Sequence, residues 1–101
     1  MARWVAIFED QPEAVTRPIR TSHAQAHFDY LAAHAGEILI GGGLRPGDGE
    51  WYCGGLWVME VASRERAREL VEGDPYFKLG LRNGYQLFVW GKAPCYGEVV
   101  L

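Results

Sequence analysis

Cysteine is scarce in this chain. Cys53 and Cys95 are the only two, forty-one residues lie between them, and neither sits in a C-x-x-C pair or a Cys/His metal spacing. A thiol-rich metal site therefore has no support, and the pair reads as two reduced thiols, with one disulfide between them the alternative. Also missing is any apolar run near eighteen residues, so no segment reads as a membrane span. No basic, apolar leader opens the sequence, and the expected compartment is the cytoplasm. There is no lysine- or arginine-rich run and the formal net charge is −3, which argues against nucleic acid and anionic membranes as partners. Internal repeats and low-complexity tracts are absent too.

What the chain does contain is apolar and aromatic mass. Its 101 residues fit one domain, 1–101, with residues 92–101 read as a C-terminal tail. The composition is 49% hydrophobic and 23% charged, as in an ordered globular protein. Four Trp, five Tyr and four Phe need a well-filled core or an interface to cover them.

Taken in order, Trp4-Val5-Ala6-Ile7-Phe8 is a short apolar run of buried-strand type. Residues 11–20 hold two prolines and read as a loop. Ser22 with Gln25 forms a candidate capping box opening a helix that runs to His34 or Ala35, where Gly36 stops it. Glu37-Ile38-Leu39-Ile40 restarts as a strand ending in Gly41-Gly42-Gly43, which marks a bulge or a close backbone approach. These glycines lack the P-loop lysine and the GxGxxG spacing, so a phosphate cradle is disfavoured. After a polar turn, residues 51–61 read as a third strand paired in a hairpin with the second. Ser63 caps a helix over residues 64–72, and Asp74-Pro75 opens a second, short helical piece closed by Gly80 and Asn83-Gly84. Residues 85–90 make the last strand, and residues 99–101 one more short apolar segment.

The order β-α-β-β-α-β is that of an α+β, ferredoxin-like domain: a four-stranded antiparallel sheet with both main helices on one face. The opposite face would be bare in a monomer. Trp4, Tyr52, Trp57, Phe88 and Trp90 are expected to pack on the sheet, and covering the bare face calls for a second copy, a homodimer.

All three histidines, His23, His27 and His34, lie in the first helix. At roughly 100° per residue they fall within about 40° of one another, beside an apolar stripe of Ala24, Phe28, Leu31 and Ala35. His23 and His27 have the i, i+4 spacing of helical metal ligands, but no carboxylate or cysteine at matching spacing joins them, so neither a metal nor another cofactor is expected. His34, at the helix end, would complement the dipole as a cation. Arg20 is the candidate for holding an anionic substrate group, against the plainer reading of a solvated arginine.

His27-Phe28-Asp29-Tyr30-Leu31, Ile38-Leu39-Ile40-Gly41-Gly42-Gly43-Leu44, Gly54-Gly55-Leu56-Trp57-Val58 and Asp74-Pro75-Tyr76-Phe77 with Gly80-Leu81 stand in one order along nearly the whole chain. In this the sequence resembles the YciI-like (YCII-related) family. The resemblance implies a ferredoxin-like fold paired into a dimeric α-β barrel, and an active site made by a first-helix histidine and the aspartate of D-P-Y. Carried over, these are His27 and Asp74, with His23 in reserve because Arg20-x-x-His23 repeats a family spacing. The same motifs make Tyr30, Gly42, Gly43 and Tyr76 expected substrate contacts beside Arg20. Where the family has Gly-Pro after the second strand, this chain has Gly42-Gly43.

A carboxylate fixed at a helix start would orient the imidazole and favour its protonated form. The expectation is general acid-base chemistry, of isomerisation, enolisation or elimination type, on a small molecule. The alternative is a non-catalytic module that binds a metabolite or serves dimerisation.

Overall fold

The computed structural model describes residues 1–98, so the apolar segment at 99–101 lies outside the described residues. Strand β1 (Ala2–Asp10) leads into helix α1 (Glu13–Ala33), then strands β2 (Ile38–Leu44) and β3 (Gly54–Val61). Helix α2 (Arg64–Gly73), the single turn α3 (Pro75–Lys78) and strand β4 (Arg82–Val89) follow, with a 3₁₀ turn at Pro94–Tyr96. The strands lie in the order β2-β3-β1-β4, every neighbouring pair antiparallel, which is the ferredoxin-like arrangement read from the sequence.

Strand alternation sorts the side chains. Trp4, Ala6 and Phe8 of β1 face the helices together with their cross-strand partners Met59 and Trp57 on β3 and Leu87 and Tyr85 on β4. Ala67, Leu70 and Val71 of α2 close over them, and Tyr30 and Leu31 of α1 pack against the same cluster. Each large apolar side chain fully buried here contributes about 1.5–3 kcal/mol. The other face carries Val5, Leu56 and Val58, flanked by Ile40, Leu44 and Phe88, which are exposed.

Helix α1 begins nine residues before Ser22, and the expected loop at 11–20 is helix from Glu13 onward. Pro12 stands just outside the first turn, where its missing N–H matters least, but Pro18 lies inside and removes a backbone donor. Tertiary contacts override that penalty. Thr16 is fully buried and its hydroxyl accepts from Trp51 Nε1 at 2.9 Å, Arg17 pairs with Glu13 one turn back, and Arg20 pairs with Asp10. Ser22 is therefore mid-helix and caps nothing, while Gln25 donates to Asp29 instead. The stripe beside the histidines is also less buried than expected, with Phe28 56% exposed.

Two further boundaries differ. Residues 51–53 precede β3 instead of belonging to it, and β4 starts at Arg82, so Asn83-Gly84 lies within a strand where a turn was expected. Ser63 does cap α2, accepting from the Arg66 N–H at 3.1 Å, and Asp74 caps α3.

Candidate active site

Asp74 is placed by the backbone before any chemistry is considered. It joins the end of α2 to the start of α3, and its Oδ1 accepts from the Tyr76 N–H at 3.2 Å, with Pro75 at the first helical position. The same Oδ1 lies 2.8 Å from His27 Nδ1, forty-seven residues away, and both side chains are buried, 9% and 1% exposed. A carboxylate accepts, so the pairing assigns the proton to His27 Nδ1 and leaves Nε2 as the free ring nitrogen. Asp74 Oδ2 is buried with no protein partner. The Tyr76 ring stacks on the imidazole at 4.0 Å and 11°, so the ring is held from one face as well as from Nδ1.

His27 lines a cavity of about 100 Å³. Helix α1 supplies Arg20, Phe28 and Leu31 to its wall, β2 supplies Gly42 and Gly43, and Tyr52, Trp57 and Arg82 complete it. The glycines matter here through close approach. A Cβ on Gly41 would sit 2.8 Å from Trp57 Cδ1, and one on Gly43 would sit 2.5 Å from Tyr52 Cδ1. The expected bulge is present, but it falls at Leu39: Ile38 faces Met59 and Ile40 faces Val58, leaving one residue over. That extra residue turns Gly41 and Gly43 to the helix side, where the two rings lie across them.

Behind the wall, Asp10 holds two guanidiniums. Its Oδ2 accepts from Arg20 Nη2 at 3.0 Å and its Oδ1 from Arg82 Nη1 at 2.8 Å; the Asp10 side chain is 0% exposed. The Arg20 guanidinium lies over the Tyr52 ring at 4.1 Å and the Arg82 guanidinium over Phe8 at 4.3 Å. Burial pushes the Tyr76 phenol above its usual range, Arg20 and Arg82 pull it down and Asp74 pushes it up.

Of the residues expected at the site, His27, Arg20, Gly42 and Gly43 line one cavity, and Asp74 and Tyr76 hold its imidazole from behind and below. Arg20 is far from solvated: its side chain is 14% exposed. Tyr30 does not reach the cavity. Its hydroxyl donates to the Leu70 carbonyl at 2.7 Å and lies against Gly73, bracing the corner that carries Asp74. His23 is exposed and lines no part of the wall. His34 is at the end of α1 as expected, its Nδ1 2.9 Å from the Tyr30 carbonyl. Among the described residues no three His, Cys, Asp or Glu side chains gather as a metal-binding group.

Asp10 and Arg82 escaped the sequence reading. Asp10 had a signal, since it continues the buried register Trp4, Ala6, Phe8 and puts a carboxylate where a core residue belongs. Arg82 had none, because a bulge decides which way it points.

No curated protein matches the chain. Among solved structures it is similar to 5-chloro-2-hydroxyhydroquinone dehydrochlorinase (TftG) from Burkholderia phenoliruptrix AC1100, in complex with 2,5-dihydroxybenzoquinone. The two share 26% sequence identity at a TM-score of 0.77, over 90% of this chain and 95% of that one. The YCII-related domain matches residues 2–91, a span that takes in the whole sheet, the helices and every residue of the cavity wall. The chain belongs to the YCII-related domain family.

Proposed function

We propose that this protein is a small-molecule enzyme in which His27 moves a proton and Asp74 orients it, in an elimination, enolisation or isomerisation. The observation that carries the reading is the buried 2.8 Å contact from His27 Nδ1 to Asp74 Oδ1, on an imidazole that forms part of a cavity wall. With Nδ1–H held by a carboxylate, Nε2 presents a lone pair as general base and, once protonated, returns the proton as general acid. In an elimination, Nε2 would take a proton from the atom adjacent to the carbon bearing the leaving group. The released electron pair becomes the new double bond and the leaving group departs as an anion. A dehydrochlorinase among the similar structures agrees with this chemistry.

The test is turnover of small halogenated phenols and enols, read as chloride release or as solvent-deuterium incorporation at carbon. His27→Ala and Asp74→Asn are expected to lower turnover by roughly 10²–10⁴-fold, the usual worth of general acid-base catalysis, with unchanged circular dichroism. Full activity in both variants, or no proton transfer by the wild-type protein, ends the reading.

The reading extends to a homodimer. The face of the sheet away from the helices holds an apolar depression of about 590 Å³ lined by Val5, Ile40, Leu44, Leu56, Val58 and Trp90. Gly42 and Gly43 line this depression and the His27 cavity alike, so a second copy seated there would press on the strand that bounds the site. Ile40→Lys is expected to convert a dimer to a monomer in sedimentation equilibrium; a monomeric wild-type protein refutes the pairing. Both cysteines are free and exposed, the state a reducing compartment maintains, and the cytoplasm is the proposed place of action.

A further inference from the structure

The charges around the cavity are layered. The ionisable side chains of the wall itself are Arg20, His27, Arg82 and the Tyr52 phenol, and no carboxylate is among them. Asp10 and Asp74 both stand behind, each holding a cationic or potentially cationic group toward the space. Asp10 is one carboxylate shared by two guanidiniums, their side chains 14% and 4% exposed. Arg20 Nε and Arg82 Nε are both buried with no hydrogen-bond partner, and a buried donor left unpaired is costly unless something completes it. Each guanidinium has five N–H donors and gives Asp10 a single nitrogen, so donors remain for another acceptor. Both groups are also fixed in advance, by Asp10 and by the Tyr52 and Phe8 rings beneath them.

We propose that Arg20 and Arg82, held apart and aimed by Asp10, form an oxyanion clamp that selects the substrate as a small aromatic or enolic anion. This names the substrate class for the proton-transfer site and rests on that reading. At about 100 Å³ the cavity is smaller than the apolar cavity of about 150 Å³ that accepts benzene, so a ring bound here would project through the mouth. The ring would lie among Phe28, Tyr52 and Trp57, its oxygen on the guanidiniums and a carbon or hydroxyl toward His27. An anion held this way is electron-rich, which favours expulsion of a leaving group, while the arginines take up the charge that remains on oxygen.

Calorimetric titration with two probes tests the clamp. 2,5-Dihydroxybenzoquinone has hydroxyls that are vinylogous carboxylic acids, so it is an anion at neutral pH; hydroquinone is a neutral ring of similar size. The wild-type protein is expected to prefer the anion tenfold or more. Arg20→Gln and Arg82→Gln are each expected to reduce that preference at least tenfold, the anion losing more affinity than hydroquinone. If Arg82→Gln does not fold, Arg20→Gln and the wild-type preference carry the test. Equal affinity for the probes, no measurable anion binding, or a preference that survives the glutamine variants overturns the clamp. His27→Ala keeps the two ideas separable. Retained anion preference with lost turnover supports both, and a preference that vanishes with His27 but not with the arginines assigns recognition to the imidazole and overturns the clamp. A selective wild-type protein that turns nothing over removes the proton transfer and leaves the clamp standing.

Discussion

Arg82 stands directly opposite Asp10 across the β1–β4 ladder because Asn83 is left over. Glu9 faces Gly84 and Asp10 faces Arg82, with no β1 partner for the residue between. Regular alternation from the helix-facing Leu87 and Tyr85 would turn Asn83 toward the helices and Arg82 toward the bare face. One extra residue reverses this, as β-bulges do, and brings the Arg82 guanidinium within 2.8 Å of Asp10 Oδ1. Asn83 meanwhile donates to Glu9 Oε1 at 3.0 Å on the exposed side.

That juxtaposition predicts strong energetic coupling. Asp10→Leu removes the counter-charge of two buried guanidiniums and is expected to destabilise by about 3–5 kcal/mol, the usual penalty for breaking a buried pair. Arg82→Met leaves Asp10 with one partner and is expected to cost less. The double variant is expected to lose at least about 1 kcal/mol less than the sum of the singles, because the groups share one network. Urea unfolding midpoints measure all three, and additive losses would show that the pair is uncoupled.

The glycines of β2 predict a ranked series. Nothing lies within 4 Å of a Cβ built on Gly42, so Gly42→Ala is expected to stay within about 0.5 kcal/mol of the parent. Gly41→Ala meets Trp57, a fully buried ring, and is expected to cost about 1–3 kcal/mol by overpacking. Gly43→Ala meets Tyr52, which is only half-buried and can move. Its effect is therefore expected on the cavity more than on stability, since Tyr52 also supports Arg20 at 4.1 Å. Thermal melts and ligand titration on the three variants separate these outcomes, and a Gly43→Ala protein with unchanged ligand affinity contradicts the placement of Tyr52.

Periodicity and turn residues made the order of elements along the chain, the α2 cap and the position of Asp74 legible, because each is decided within a few neighbouring residues. Ser63 and Asp74 cap where their own side chains can reach the next turn. The first half of α1 was not legible in that way: Pro12 and Pro18 are local signals for a loop, and what outweighs them arrives from Trp51 and Asp10. The site divided along the same line. His27 and Asp74 came from family motifs, whereas Arg82 depended on a one-residue register shift that no window of sequence announces. Tyr30 shares a motif with His27 and was expected at the substrate, but its hydroxyl is committed to the α2 backbone.

Tyr30→Phe tests that reassignment. Loss of the hydrogen bond to the Leu70 carbonyl is expected to cost about 1 kcal/mol, or a fall of roughly 4–8 °C in Tm for a domain of this size. Turnover per folded molecule is expected to fall by less than about tenfold, since Asp74 retains its backbone cap. A substrate-contacting hydroxyl would instead show a large rise in KM with little change in Tm. Steady-state kinetics beside a melting curve decides between them.

The alkaline limb of stability should carry the mark of Tyr85. Burial, then the hydrogen bond its hydroxyl donates to Glu72 at 2.5 Å, then the charge of Glu72, push this phenol up to about 12 from 10.0, with Arg68 pulling the other way. A folded-state pKa above the unfolded one means that the folded protein holds the proton more tightly. The contribution is therefore complete below pH 10 and is lost as pH rises toward 12. Tyr30 and Tyr76 are shifted upward as well, chiefly by burial, so their contributions too are complete below pH 10 and lost above it. Urea midpoints are thus expected to fall between pH 10 and pH 12, and Tyr85→Phe to shallow that slope without abolishing it. Absorbance at about 295 nm, where phenolates absorb and phenols do not, should show one fewer late-ionising tyrosine in the variant than in the wild-type protein. A variant whose midpoints decline as steeply as the parent's would place the alkaline sensitivity in the other two rings.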